Sequence, residues 1–394
     1  MQPVIILGST GSIGTQALDV CYREQIPVLG LAAGGSQLEL LAAQVRATGA
    51  RIVAIADDAA AAQARDLLAG LNVELLIGPD APAKLAAHTE ADHTVLNGIT
   101  GAVGLDATLA ALATGARVAL ANKESLVVGG PLVRQALVRP GQIVPVDSEH
   151  SAMFQALQSG SHRRGLCCEN PDGTSEVDRL VLTASGGPFR GKTRADLANV
   201  TPAEALDHPT WSMGPVVTIN SSTLMNKALE FIEAHLLFDI APSDIDVVIH
   251  PQSVIHSMVT FRDGATITQA SPPDMRLPIA LALTWPERRY PAPQCRWDQA
   301  VTWTFEPVDH ETFPALSLAR EALAASPTHP AVLNAANEVC VDQFLAGQLE
   351  YLAIVDTVAE VLAEHQWESN HHPSRADIAE VDAWARRRAA ERCA

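Results

Sequence analysis

Nowhere in this chain is there an apolar run long enough to span a bilayer, and no basic segment leads into an apolar one at its start. Membrane insertion and export are therefore not expected, and a cytoplasmic location is. Cysteine is sparse: Cys21, Cys167, Cys168, Cys295, Cys340 and Cys393 form no CxxC pair and no dense framework, which points to free thiols in a reducing compartment, with Cys167 and Cys168 as loop residues. Positive charge is also short, at 27 Lys and Arg against 45 Asp and Glu, for a formal charge of −18. Nucleic acid and anionic membrane surfaces are thereby excluded as partners, while an anionic small substrate is compatible with a few cations gathered in a cleft. Aromatics make up only 4% and charged residues 18%, but hydrophobic residues reach 47% over 394 positions, an ordinary globular composition spread over two or three domains.

The first strand is expected at Val4-Ile5-Ile6-Leu7, running straight into Gly8-Ser9-Thr10-Gly11-Ser12-Ile13-Gly14 and a helix. Strand, glycine turn and helix in this order suit a dinucleotide, whose pyrophosphate takes backbone N–H groups at the helix N-terminus. The spacing here is GxxGxxG. Further strands are expected near 27–32, 51–56, 73–77, 94–97, 117–121 and 143–146, separated by Ala- and Leu-rich helices. Such alternation implies a doubly wound, Rossmann-like parallel sheet with its ligand at the C-terminal edge, which carries Asn97-Gly98, Asn122-Lys123-Glu124 and Asp147-Ser148-Glu149. The turn after the second strand, Gly34-Gly35-Ser36-Gln37, has no carboxylate for a ribose 2′-hydroxyl, which favours NADP over NAD. It has no cation either, so Ser36 and Gln37 offer neutral hydrogen bonds, with Arg46 further away.

At the end of the last of these strands, Asp147 and Glu149 are spaced i and i+2 and so project to one side, able to converge on a hard cation or a proton, with Ser148 and His150 pointing elsewhere. The competing reading is that Asp147 and Ser148 cap a following helix. Downstream, Ala184-Ser185-Gly186-Gly187 offers a hydroxyl and free N–H groups to an oxyanion, and Asp207 to Gly214, with His208, Trp211 and Met213, has the composition of a lid. Ser221 or Ser222 is expected to start a helix on which Asn226, Lys227 and Glu230 share a face. Its first turn with Lys227 suits a phosphate monoester, leaving Glu230 to join Asp147 and Glu149. His250 and His256, on an apolar stretch, read as structural rather than metal-bound.

Seven motifs in order, Gly8-Ser-Thr-Gly-Ser-Ile-Gly14, Ala121-Asn-Lys-Glu-Ser125, Val146-Asp-Ser-Glu-His150, Thr183-Ala-Ser-Gly-Gly-Pro-Phe189, His208-Pro-Thr-Trp-Ser-Met-Gly214, Asn220-Ser-Ser-Thr-Leu-Met-Asn-Lys227 and His250-Pro-Gln-Ser-Val-Ile-His256, resemble the 1-deoxy-D-xylulose 5-phosphate reductoisomerases over nearly the whole chain. The resemblance implies a V-shaped homodimer in the methylerythritol phosphate route to isoprenoids, acting on a phosphorylated ketose with NADPH and Mg²⁺, Mn²⁺ or Co²⁺. Carried over onto these residues, it implies Asp147, Glu149 and Glu230 as metal ligands, and Lys123, Glu149 and His208 in catalysis. Ser185, Ser221, Asn226 and Lys227 would hold the phosphate, and Ser148 the sugar. Thr10, Gly11, Ser12, Ile13, Gly35, Ser36, Gln37, Asn122, Glu124 and Gly214 would line the cofactor site, under a lid of Trp211 and Met213. This chain departs from the family pattern at Gly35-Ser36-Gln37, at Ala228, at Pro215-Val216-Val217 and in an insertion near 165–176. A plain NADP-dependent dehydrogenase would not need the carboxylate triad, and a sensor that had lost catalysis would not keep Lys123 beside it.

The expected organisation is an NADPH-binding domain over 1–149, an α/β catalytic, metal-binding and dimerisation domain over 150–270, a proline-rich connector over 271–311 and a four-helix bundle over 312–394. In the last part Leu352, Val355, Ala359 and Leu362 keep one apolar face, and Ser374 with Asp377 signals a helix cap. That region shows no repeat and no chemistry, so support and packing are its expected work.

Overall fold

The computed structural model describes residues 1–211, 213–290, 292–367 and 372–393. Ser212 of the lid motif and Pro291 of the connector lie outside the described residues. Seven parallel strands form the first sheet, β1 (Val4–Leu7), β2 (Val28–Ala33), β3 (Ile52–Ile55), β4 (Glu74–Ile77), β5 (Thr94–Asn97), β6 (Arg117–Leu120) and β7 (Ile143–Pro145), in the order 4-3-2-1-5-6-7. Between them run α1 (Ser12–Glu24), α2 (Leu38–Thr48), α3 (Ala61–Leu67), α4 (Ala81–Ala86), α5 (Leu105–Ala113) and α6 (Glu124–Ala136). The strand order reverses at β1, which pairs with β2 on one side and β5 on the other, and so opens a crevice above its carboxyl end. The doubly wound sheet expected from the sequence is present, with strand ends within a residue or two of the expected positions.

Glycine determines how close that crevice comes to the backbone. Gly8 has φ +77°, and a Cβ there would fall 2.6 Å from the Gly98 carbonyl oxygen. A Cβ on Gly14, inside α1, would meet the Gly8 carbonyl oxygen at 2.3 Å. The first turn of α1 is thus pressed onto the turn after β1, which only glycine permits.

After α7 (Ser148–Leu157), a second sheet follows with the order β11-β10-β8-β9-β12, from β8 (Val177–Ala184), β9 (Ile245–Ile249), β10 (Ile255–Phe261), β11 (Thr266–Ala270) and β12 (Glu306–Pro307). Inserted between β8 and β9 are α8 (Pro202–Ala205), α9 (Pro215–Ser222) and α10 (Met225–Phe238). The loop at 165–176 is tied to the end of α10 by the Leu166 N–H on the Leu237 carbonyl at 2.8 Å, and Cys167 within it is buried.

The proline-rich stretch carries regular structure: Arg276–Thr284 forms α11, which packs against α1, and Glu306–Pro307 joins the second sheet as β12. Pro278 is tolerated because it stands in the first turn, where the N–H it lacks has no intrahelical partner. Four helices close the chain, α12 (Ala315–Ala325), α13 (His329–Leu345), α14 (Tyr351–Glu364) and α15 (Arg375–Cys393). Ser374 and Asp377 cap α15 reciprocally, as their spacing suggests. One buried apolar core runs from β1 through Phe231 to Val341 in α13.

A Gly14→Ala substitution is expected to destabilise the fold by about 1–3 kcal/mol through overpacking, read as a lower urea midpoint. Gly34→Ala, where nothing lies within 4 Å of the added carbon, is expected to change the midpoint little.

Candidate active site

A cavity of about 1100 Å³ lies between the carboxyl edge of the first sheet and the turns that follow β8. Its acidic floor is assembled by three elements. Strand β7 stops at Pro145, and Asp147 is the N-cap of α7, its Oδ1 accepting the Glu149 N–H at 3.2 Å. Both sequence readings of Asp147 therefore hold at once, since it caps a helix and faces the cavity. Convergence with Glu149 comes from the cap and first turn of α7, not from strand alternation. Glu230, on α10, is 1% exposed, and one carboxylate oxygen from each of Asp147, Glu149 and Glu230 lies within 4.8 Å of the others.

Two ammonium groups share this floor. Lys123 Nζ donates to Asp147 Oδ2 at 2.8 Å, to Asn226 Oδ1 at 2.9 Å and to Glu230 Oε1 at 2.9 Å. Lys227 Nζ donates to Glu149 Oε1 at 2.7 Å and pairs with Glu230 Oε2. Burial opposes charge on Asp147, yet Lys123, His150 and Lys227 hold its carboxyl well below the ordinary range. Burial, and then the Glu230 carboxylate, push Glu149 up to about 7. Three oxygen-donor carboxylates in excess over two ammonium groups make a set that fits a hard divalent cation, which would relieve the repulsion within it.

Ser148 and His150 do not point away. Ser148 lines the cavity and donates to Glu149 Oε2 at 2.6 Å. His150 is fully buried behind the carboxylates, its Nδ1 3.0 Å from Glu233 Oε2 and 3.4 Å from Asp147 Oδ1, and its Nε2 2.9 Å from the Glu230 carbonyl oxygen. The turn of α7 directs this side chain inward, because helical positions i and i+3 share a face. Burial works against its charged form, but Glu233 and Asp147 raise it to about 9.

Ser185 and Ser221 bring neutral donors to the cavity, gathered around His208, which lies outside its lining. His208 Nδ1 accepts the N–H groups of Thr210 at 3.1 Å and Trp211 at 2.9 Å, so in the neutral ring Nε2 carries the proton. That nitrogen lies 3.1 Å from Ser185 Oγ and 3.2 Å from Ser221 Oγ, and burial lowers the pKa of the ring, favouring this neutral form. Ser221 and Ser222 do not begin the helix of Lys227; they end α9. Leu224 then takes a left-handed φ of +60°, reversing the chain so that Asn226 and Lys227 stand in the first turn of α10. Asn226, Lys227 and Glu230 do share one face there, and Ser185, Ser221, Asn226 and Lys227 all reach the cavity.

Gly11, Ser12, Ile13, Gln37 and Gly214 line the cavity on the side of the glycine turn, whereas Thr10, Gly35 and Ser36 lie outside its lining. Asn122 and Glu124 turn inward instead. The Asn122 amide donates to the carbonyls of Ile99 at 2.7 Å and Gly101 at 2.9 Å, and Glu124 Oε1 accepts the Gly101 N–H at 3.0 Å. Trp211 and Met213 line the cavity, with the Trp211 ring 6.1 Å from that of His256. His250 and His256 are satisfied within the protein, His250 by the Thr304 carbonyl at 2.9 Å and two backbone N–H groups, His256 by the Ser271 carbonyl at 3.1 Å. The sequence reading missed Pro273, Asp274, Met275 and Arg276, which border the cavity where α11 begins, Arg276 held 2.9 Å from Asp19. An acid and a base adjoining a double proline were the only local signal.

A Rossmann-type sheet with its glycine turn, an acidic cation pocket and an array of hydroxyl, amide and ammonium donors on one cavity define a metal-assisted enzyme that uses a dinucleotide on a phosphorylated substrate. Family models agree with that class: 1-deoxy-D-xylulose 5-phosphate reductoisomerase matches residues 4–130, its C-terminal domain residues 143–238, and the DXP reductoisomerase C-terminal domain residues 270–388. The chain belongs to the 1-deoxy-D-xylulose 5-phosphate reductoisomerase family. It is 60% identical to the enzyme of that name from Beutenbergia cavernae, covering 98% of this chain and 95% of the relative, and 56% identical to that of Kitasatospora griseola, covering 98% and 99%. Among solved structures it resembles the Zymomonas mobilis reductoisomerase in complex with NADPH (38% identity, TM-score 0.87, covering 100% and 99%). It also resembles a DOX-P reductoisomerase in complex with NADPH, fosmidomycin and magnesium (34%, TM-score 0.91, covering 100% and 98%).

Glu230→Gln is expected to weaken Mn²⁺ binding about 100-fold, measured by the paramagnetic resonance of free Mn²⁺. NADPH affinity is expected to stay within about twofold, because Glu230 is no part of the glycine turn.

Proposed function

We propose that the protein converts 1-deoxy-D-xylulose 5-phosphate to 2-C-methyl-D-erythritol 4-phosphate, using NADPH and Mg²⁺, Mn²⁺ or Co²⁺. The observation that carries this reading is the convergence of the Asp147, Glu149 and Glu230 carboxylates with Lys123 and Lys227 on one wall of a cavity whose other walls bear the glycine turn, Ser185 and Ser221, with His208 Nε2 set against both hydroxyls. Asp147, Glu149 and Glu230 would hold the divalent cation, which when bound supplies a Lewis acid for the substrate's carbonyl and hydroxyl oxygens. NADPH, when bound along Gly11, Ser12, Ile13 and Gly214, supplies hydride.

The rest falls to the chain's own side chains. Lys227 and Asn226 anchor the phosphate from the start of α10, and Ser185, Ser221 and the Nε2–H of His208 complete a cradle of donors around it. Anchoring the phosphate places the reacting carbons over the carboxylate floor, with Ser148 directed at the sugar. The carbon-skeleton rearrangement needs a proton withdrawn from a substrate hydroxyl and one returned to the product. Lys123 and Glu149 border the place where those oxygens would lie, so transfer in both directions falls to them. Trp211 and Met213 would close over the site and exclude water.

The division into 1–149 for cofactor, 150–270 for metal and substrate, 271–311 as connector and 312–394 as helical support belongs to the same reading, as do a homodimer and a cytoplasmic location. No helix among the described residues is long and apolar enough to cross a membrane.

The test follows NADPH absorbance on adding 1-deoxy-D-xylulose 5-phosphate to the purified protein, with and without a chelator, and with NADH in parallel. Oxidation of NADPH that stops with the chelator and returns with Mn²⁺, and is much slower with NADH, is the expected outcome. Tight NADPH binding with no turnover after Mn²⁺ is restored would overturn the reading.

A further inference from the structure

Helix α13 carries Asn334, Asn337 and Glu338 at spacings of three and four, a polar stripe on a helix otherwise packed in apolar core. Asn334 and Asn337 are fully buried, so their amides need partners to offset lost hydration. The partners of Asn337 and Glu338 include Asn220 and Ala102, which adjoin cavity-lining residues on its two sides. Glu338 Oε1 accepts the backbone N–H of Ala102 at 3.2 Å and the Asn334 amide at 2.9 Å, while Oε2 pairs with Arg386 of α15.

The preceding N–H, that of Gly101, goes to Glu124. Two successive donors at the start of the 3₁₀ turn Ala102–Gly104 are thus held by carboxylates from distant parts of the chain. This loop contributes Gly98 and Thr100 to the cavity, and its carbonyls at Ile99 and Gly101 hold Asn122, the residue before Lys123. On the other wall, Asn337 Nδ2 donates to Asn220 Oδ1 at 2.9 Å, and Asn220 immediately precedes Ser221.

We propose that Asn337 and Glu338 are positioning residues that fix the two walls of the cleft to one rigid helix. Glu338 sets the 98–102 loop and, through Asn122, the backbone of Lys123; Asn337 sets Ser221 in the phosphate cradle. Being adjacent on α13, they hold the cofactor side and the phosphate side at a constant separation, and a reaction that joins hydride and sugar phosphate requires that separation to be kept. The C-terminal bundle then has a part in the chemistry beyond packing.

The proposal rests on the reductoisomerase reading for its substrates, so NADPH affinity is measured by fluorescence titration apart from turnover. Glu338→Ala is expected to raise the NADPH dissociation constant about tenfold with the KM for the sugar phosphate within about twofold. Glu338→Gln keeps the acceptor for Ala102 and is expected to recover most of that loss. Asn337→Ala is expected to do the reverse, raising the KM for the sugar phosphate about tenfold with NADPH affinity nearly unchanged. Asn220→Ala and Arg386→Ala disturb the same bonds from their other ends and are judged by the same split, so an α13 variant that fails to fold leaves the test intact. If the two sets of variants move both constants together, or move neither, the positioning role is wrong. If the wild-type protein binds NADPH and shows no turnover, the reductoisomerase reading fails instead.

Discussion

Everything around the cavity answers to the concentration of three largely buried carboxylates on its floor. Removing one partner from a buried ion pair typically costs about 3–5 kcal/mol, because a bare charge is left behind. Asp147, Glu149 and Glu230 are therefore tenable only with Lys123 and Lys227 among them. That requirement explains the architecture. Adjacent parallel strands β6 and β7 end side by side, delivering Lys123 and Asp147 to within 2.8 Å of each other, and the left-handed turn at Leu224 swings α10 in to supply the remaining ammonium and carboxylate.

The second constraint is closeness of backbone to ligand. At Gly8 and Gly14 the chain gives up side chains so that the first turn of α1 seats against the turn after β1, leaving N–H groups at the floor of the crevice. The same economy appears at Gly101, where φ is +86° and a Cβ would lie 3.2 Å from Glu338 Oε1. Conformation and contact both call for glycine there. Trp211 and Met213, by contrast, stand between α8 and α9, outside any helix or strand.

The β/α alternation and the glycine turn were legible because their signals are local: period, punctuation and a seven-residue motif. The triad was legible too, as residue types, although the mechanism of its convergence was not. Strand alternation and helix capping both bring Asp147 and Glu149 to one side, and only the position where β7 stops distinguishes them. His150 was misdirected for the same reason, since its side points outward on a strand and inward on a helix. The resemblance implies Asn122 and Glu124 at the cofactor, and here both are held by the carbonyls and N–H of residues 99–101, some 20 residues away in sequence. Arg276 and the stripe on α13 were hidden more deeply, for long-range polar pairing leaves no periodic trace.

A chain of net charge −18 that takes an anionic sugar phosphate must reverse its own field locally. Three carboxylates against the ammonium groups of Lys123 and Lys227 leave the floor with a net charge of −1, and a bound divalent cation would turn that balance to +1. Without the cation, a phosphate dianion approaching Lys227 competes with Glu149 and Glu230 for the same ammonium. With it, the carboxylates would have a better partner and Lys227 would be free to turn toward the phosphate. Cation and phosphate sites are in this sense one electrostatic unit. Asn226 and Lys227 stand at the joint between them because the first turn of α10 touches both.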